Sequence, residues 1–285
     1  MIYKSYEDLS GTIRRNLWKI PDDIDLIVGV PRSGMIAALM VAEILNRRCA
    51  DLDAFAEGRV MSCGDRMEGA EGQEIRKVLV IDDTVNTGRS IKRARKSLAH
   101  LQERFTIIYG CVYARGKDAK NMVDLFLEDI YQEKERWYLY EWNILHHNEN
   151  KTSRMMWDID GLMCLEPPSE KNTGSYEAYI REAVPMVLPT ATVGAIVTYR
   201  LEKYRPQTEE WLARYGVRFK RLRMFDAPDR ETRRYLSSPG KYKAAVYNAA
   251  HWAMLFVESD PHQAEMIHSI TRKPVYCYEN GKMYY

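Results

Sequence analysis

The chain has few cysteines. Five are scattered over 285 residues (Cys49, Cys63, Cys111, Cys164, Cys277), and no two stand in a CxxC pair. Such spacing excludes a disulfide framework and a zinc site, and reads as buried or surface thiols. No apolar run approaches the roughly 20 residues that span a bilayer, and the opening MIYKSYEDL has no signal-peptide core, so a soluble cytoplasmic protein is expected. Excess charge is missing too. A formal net charge of +2 removes the sequence-wide pull toward nucleic acid, and no nucleic-acid partner is expected. Repeats and low-complexity tracts are absent, and 46% hydrophobic residues with ordinary Gly and Pro counts indicate a folded chain.

What the sequence does contain is an alternation of strand-like apolar runs with helical periodicity, the pattern of parallel α/β sheets. Ser5 with Asp8 forms a capping box for a first helix carrying Leu9, Ile13 and Leu17. Strand 26–30, a Gly-bearing loop and helix 35–45 follow; a second unit has strand 78–81, a loop to Ser90, a helix to about Leu101 and strand 106–113. The aromatic run Trp137-Tyr138-Leu139-Tyr140-Glu141-Trp142 reads as an edge strand or an interdomain arm. Polar Asn148-Glu149-Asn150-Lys151 breaks both periodicities and predicts a boundary, giving domains 1–149 and 150–285. The rhythm then restarts with strands 155–159, 194–198, 218–224, 254–257 and 275–278, and with helices 206–215, 228–236, 241–250 and 261–270.

The first chemical constellation is Val78-Leu79-Val80-Ile81-Asp82-Asp83-Thr84-Val85-Asn86-Thr87-Gly88-Arg89-Ser90. An apolar strand, two carboxylates and a small hydroxylated loop opening a helix place N–H groups and hydroxyls where a phosphate meets the positive end of a helix dipole. The paired acids suit the 2- and 3-hydroxyls of a ribose, directly or through Mg²⁺. This segment resembles the signature of type I phosphoribosyltransferases, which use phosphoribosyl pyrophosphate (PRPP). Val28-Gly29-Val30-Pro31-Arg32-Ser33-Gly34 resembles that family's pyrophosphate loop, with Arg32 supplying a fork of donors. The segment 57–74, with Arg59, Asp65 and Arg66, fits the family's hood. The resemblance implies PRPP binding by Arg32, Ser33, Gly34, Asp82, Asp83, Thr84, Val85, Asn86, Thr87, Gly88 and Ser90. Asn86 stands where purine-type members often carry an Asp that takes a proton from the base; an amide cannot do so. Asp83 and Asp65 are the candidates for a transfer base.

In the second constellation, Trp157-Asp158-Ile159-Asp160-Gly161, two Asp one residue apart close a strand, so alternation directs both to one site. With Ile196-Val197-Thr198, with Lys241 or, better, Lys243, and with Val257-Glu258-Ser259-Asp260-Pro261, this half resembles haloacid dehalogenase (HAD) phosphatases. That resemblance implies Asp158 as nucleophile, Asp160 as acid/base, Thr198 and Lys243 at the phosphoryl group, and Mg²⁺ held by Asp158, Asp160 and Glu258 or Asp260. Ser259 departs from the family's common Asp. The intervals around Thr198 leave no room for a large cap, so the site admits bulky phosphorylated substrates or is roofed by the other domain.

The expected fold is therefore two Rossmann-like α/β domains, a type I phosphoribosyltransferase fold and a minimal HAD-like fold. The pairing resembles dual-domain ribofuranosyltransferases of bacterial polysaccharide synthesis. It implies phosphoribosyl transfer to a glycan hydroxyl, with a lipid-linked acceptor, then removal of the 5-phosphate; a homodimer is compatible. The alternatives are a nucleobase phosphoribosyltransferase fused to a nucleotide phosphatase, and a PRPP-binding regulator without turnover.

Overall fold

The computed structural model describes residues 1–61, 67, 72–167 and 173–285. Its α/β alternation follows from the apolar runs, each buried as a strand and followed by a helix. The chain divides into two units, Met1–Trp142 and Asn143–Tyr285, a few residues before the polar break at 148–151.

In the first unit, β1 (Ile2–Lys4) leads into α1 (Tyr6–Arg15), whose capping box joins Ser5 and Asp8. Then come β2 (Leu26–Gly29), α2 (Gly34–Leu45), β3 (Arg48–Asp51), α3 (Leu52–Ala56), β4 (Lys77–Val85), α4 (Arg89–Ser97), β5 (Thr106–Ala114), β6 (Leu125–Asp129) and β7 (Tyr138–Tyr140). The main sheet runs β3-β2-β4-β5-β6, all parallel, while β7 pairs with β1 in a separate two-stranded ribbon. One layer of core packs Leu9, Ile13, Ile27, Ala38, Val41 and Leu79 on one face of the sheet; the other packs Val28, Val80, Phe55, Ile91 and Leu98.

The second unit contains α5 (Glu149–Thr152), β8 (Met155–Trp157), α6 (Thr173–Glu182), β9 (Ala195–Leu201), α7 (Arg205–Arg214), β10 (Leu222–Phe225), α8 (Arg230–Leu236), α9 (Pro239–Ala249), β11 (Leu255–Glu258), α10 (Pro261–Thr271), β12 (Val275–Cys277) and β13 (Met283–Tyr284). Its sheet runs β10-β9-β8-β11-β12-β13, parallel except for the last pair. Met156, Val197, Ala244, Tyr247, Phe256 and Ile267 form part of its core.

Both sheets reverse their order of growth once, between β2 and β4 in the first and between β8 and β11 in the second. Ligands of open α/β sheets bind outside the carboxyl ends of the strands at such a reversal. Cys49, Cys111, Cys164 and Cys277 are buried, consistent with the thiols expected from their spacing. Among the described residues no helix is long and apolar enough to cross a membrane.

Candidate functional site

The reversal point of the first sheet gathers its sequence-predicted residues. Gly29 and Ile81 are register partners, and Val30 N–H donates to the Ile81 carbonyl (3.0 Å), so the Pro31–Gly34 loop leaves its strand beside Asp82 and Asp83. At Gly34 the approach is close. A Cβ there would meet Asp82 Oδ1 at 2.9 Å and the Ile81 carbonyl at 3.0 Å. Arg32 is exposed and Ser33 half-buried in this loop, whose Pro31–Arg32 peptide is cis.

The acids themselves are placed differently from expectation. The strand was expected to end at Ile81, but β4 continues through Asp82, Asp83 and Thr84 to Val85, paired with β5 as far as Val85 and Ala114. Both Asp side chains are consequently buried, at 6% exposure each. Burial pushes Asp82 well above the usual carboxylate range, and the neighbouring Asp83 charge adds to it while the Ser90 hydroxyl opposes it. Asp83 is raised as well, mainly by burial, although the Trp142 indole N–H donates to its Oδ2 at 2.8 Å. Asn86 and Thr87 are exposed beyond the strand, and Gly88, at φ +68°, turns the chain into α4. Asp65 and Arg66 lie outside the described residues.

Trp142 as a partner of Asp83 was missed. The aromatic run is an internal stack: Tyr140 and Trp142 lie 5.1 Å apart, and Trp142 stacks on Tyr113 at 6.5 Å. The indole lies just after β7 and meets an acid 59 residues away in sequence, so local sequence carries no sign of the contact.

At the second reversal point Asp158 follows β8, and Asp158 N–H donates to Val257 O (3.0 Å), extending the ladder. Asp158, Asp160, Glu166, Tyr176, Arg200, Lys243 and Gln263 line one cleft of about 130 Å³. Lys243, not the exposed Lys241, enters it, and its Nζ donates to Asp158 Oδ2 (2.6 Å), Glu258 Oε2 (2.8 Å) and Gln263 Oε1 (2.9 Å). Against the cost of burial, the two carboxylates hold Lys243 as an ammonium above its ordinary range. Asp158 is pushed up by burial and then by Glu258.

Three of these residues carry hydrogen-bond commitments of their own. Thr198 lies inside β9, which pairs with β10 as far as Leu201 and Phe225, and its buried hydroxyl accepts the Arg200 N–H (3.2 Å). Asp160 is engaged by a buried arginine that the sequence reading overlooked: Arg200 Nη2 donates to Oδ1 (2.5 Å) and Nε to Oδ2 (3.1 Å), with the Tyr179 hydroxyl at 3.0 Å. Burial alone would raise Asp160, but the Arg200 charge and hydrogen bonds outweigh it and hold the group below the usual range. Asp260 caps α10 by accepting the Gln263 N–H (2.7 Å).

These commitments bear on Mg²⁺. Among the described residues no group of three or more His, Cys, Asp or Glu is gathered for a metal ion. Asp160 and Asp260 do not fit as carboxylate ligands, since an arginine fork and a helix cap occupy them. Asp82 with Asp83, and Asp158 with Glu258, do fit in donor chemistry: each is a buried pair of hard oxygen donors whose members repel, and Lys243 offsets only one of the two charges in the second pair.

No protein-family model and no curated protein matches the chain. Solved structures do show similarity. The Helicobacter pylori xanthine-guanine-hypoxanthine phosphoribosyltransferase is 19% identical, with a TM-score of 0.36 over 50% of this chain and 92% of its own. The Aeropyrum pernix orotate phosphoribosyltransferase is 19% identical, with a TM-score of 0.32 over 49% of this chain and 73% of its own. A Pnkp1/Rnl/Hen1 complex is 14% identical, with a TM-score of 0.34 over 89% of this chain and 96% of its own. Similarities of this size place the chain in no family.

Proposed function

We propose that the chain transfers a phosphoribosyl group from PRPP to a glycan hydroxyl in its first unit, and removes the ribose 5-phosphate in its second. The observation that carries this reading is the pairing of the buried Asp82-Asp83 couple with the Pro31–Gly34 loop at the reversal point of the first sheet. Backbone N–H groups of that loop and of the α4 N-terminus suit the diphosphate and the 5-phosphate, while the acid pair suits the ribose hydroxyls. The C1–O bond to diphosphate breaks, a C1–O bond to the acceptor forms, and the acceptor's proton leaves to a base. Asn86, exposed and amidic, cannot take a proton from a nucleobase, which counts against a purine-type acceptor, and a hydroxyl acceptor also needs another group as its base.

In the second unit Asp158 attacks phosphorus, the ribose C5 oxygen leaves and takes its proton from a water molecule, because Asp160 is held ionised, and a second water then cleaves the acyl phosphate to regenerate Asp158. Lys243 holds the nucleophile in place, and Asp160, kept ionised by Arg200, is suited to accept the proton of that water. Mg²⁺, when bound by Asp82 and Asp83 or by Asp158 and Glu258, supplies charge neutralisation for diphosphate or phosphoryl oxygens.

The test supplies PRPP, Mg²⁺ and either glycan or nucleobase acceptors and follows diphosphate and phosphate separately. Asp158→Asn is expected to accumulate a phosphoribosylated glycan, and Asp82→Asn to release no diphosphate. Transfer to nucleobases alone overturns the glycan reading, and PRPP binding without turnover supports a regulator instead.

A further inference from the structure

The indole of Trp142 is tied to the acid pair of the first unit, yet the chemistry proposed for that pair makes no use of it. Its Nε1–H donates to Asp83 Oδ2 at 2.8 Å, and the Thr84 hydroxyl approaches the same oxygen at 3.4 Å. Both donors meet one edge of the carboxylate, and fixing that edge fixes the plane in which Oδ1 lies. Asp82 is set by the backbone instead, its Oδ1 accepting the Asp83 N–H at 3.0 Å.

The donor is itself held in place. Trp142 stacks on Tyr140 at 5.1 Å with 26° between the ring planes and on Tyr113 at 6.5 Å with 10°, and Tyr6 tilts against it at 5.8 Å. Tyr113 has no exposed surface and is the register partner of Thr84, so the stack stands on the strand beside the acids. The Tyr6 N–H donates to Glu141 Oε2 at 2.7 Å, which ties the residue before the indole to the start of α1. A ring packed in this way has lost its rotamer freedom, and its N–H points in one direction.

The kind of donor matters as much as its place. An indole donates one hydrogen bond, accepts none and carries no charge. It satisfies a buried carboxylate oxygen while leaving the negative charge uncompensated, available to a ribose hydroxyl or to Mg²⁺. The second unit supplies the contrast, because Arg200 orients Asp160 with a charged fork that offsets the charge it holds.

We propose that Trp142 is a positioning residue for the transfer step: its indole N–H sets the Asp83 carboxylate in the orientation that receives the ribose of PRPP, and the aromatic stack aims that N–H. This inference rests on the transferase reading of the first unit. Trp142 acts through Asp83, so binding of PRPP depends on it and binding of the acceptor does not.

The test compares the wild type with Trp142→Phe and with a protein carrying 3-benzothienylalanine at position 142, whose bicyclic ring keeps the stack but has no N–H. Calorimetry gives the Kd of PRPP with Mg²⁺, and initial rates give kcat and the KM of each substrate. Losing one hydrogen bond to a charged group corresponds to about tenfold or more in affinity. Both altered proteins should therefore bind PRPP about tenfold more weakly and raise its KM in step, with the acceptor KM unchanged and the unfolding temperature of the benzothienyl protein close to that of the wild type. Wild-type affinity for PRPP in the benzothienyl protein overturns the proposal whatever Trp142→Phe does, since ring packing alone then accounts for the residue. An acceptor KM that rises as much as that of PRPP also overturns it, because it marks a general distortion of the site. If the wild type binds PRPP without transferring it, the calorimetric comparison still decides the role of the N–H. If the wild type binds no PRPP, the transferase reading fails and the proposal falls with it.

Discussion

Arg200 has no exposed side-chain surface, and its fork is spent on Asp160. A carboxylate whose native pKa is depressed stays ionised down to lower pH, so any step that uses Asp160 as a base keeps its rate further into acid. In Arg200→Gln burial is no longer opposed, and the acid limb of the phosphate-release pH profile should move to higher pH. Arg200→Lys, which keeps the charge without the fork, should fall between. A pH–kcat/KM series on the three proteins checks this. Asp82 presents the opposite sign. Its native pKa lies above the ordinary value, so the ligand-free fold loses stability as pH rises from the ordinary carboxylate range toward that raised value. Asp82→Asn should therefore raise stability at neutral pH by on the order of 1–2 kcal/mol, seen as a higher unfolding temperature, while abolishing transfer. Thermal unfolding without ligands measures it. Asp82, Asp158 and Lys243 could be singled out from local pattern alone. Arg200 and Trp142 could not, because each acts on a carboxylate far away in sequence and only the folded sheets bring them together.

Element by element, the apolar runs 26–30 and 78–81 marked their strands because Val and Ile fill both buried faces of a parallel sheet. The same rule hid the rest. β3, Arg48–Asp51, is flanked by charge, and β6, Leu125–Asp129, ends in acids, so neither reads as a buried run although both complete the sheet. Asp82 and Asp83 looked like the end of a strand, yet backbone pairing with β5 carries the strand through them, since a ladder bonds peptide groups whatever their side chains. The tightness of the β2–α2 turn against β4 makes a sharp prediction. A methyl group at Gly34 must displace Asp82 or the Ile81 carbonyl, so Gly34→Ala should cost about 1–3 kcal/mol of stability and raise the KM for PRPP. Denaturant unfolding and initial-rate kinetics report the two effects separately.

At the scale of the molecule, two sheets of similar design each place an acid pair where their strand order reverses, and composition already gave length enough for two cores. The two compact units divide after Trp142, whose indole belongs to the aromatic stack of the first unit, and the polar break at 148–151 lies a few residues further on. The buried thiols give each unit its own reporter. Burial pushes Cys49 up to about 11 and Cys164 up to about 12, and raises Cys111 and Cys277, so little thiolate is present near neutrality, and Cys111, Cys164 and Cys277 have no exposed surface in the folded state. Alkylation at Cys111 then proceeds only as fast as the first unit opens, and at Cys164 and Cys277 only as fast as the second does. Mass spectrometry of peptides from a timed labelling experiment should resolve two opening free energies, and PRPP with Mg²⁺ should slow labelling of Cys111 alone. The chain thus carries an internal stability assay that needs no engineered probe and reads ligand occupancy one half at a time.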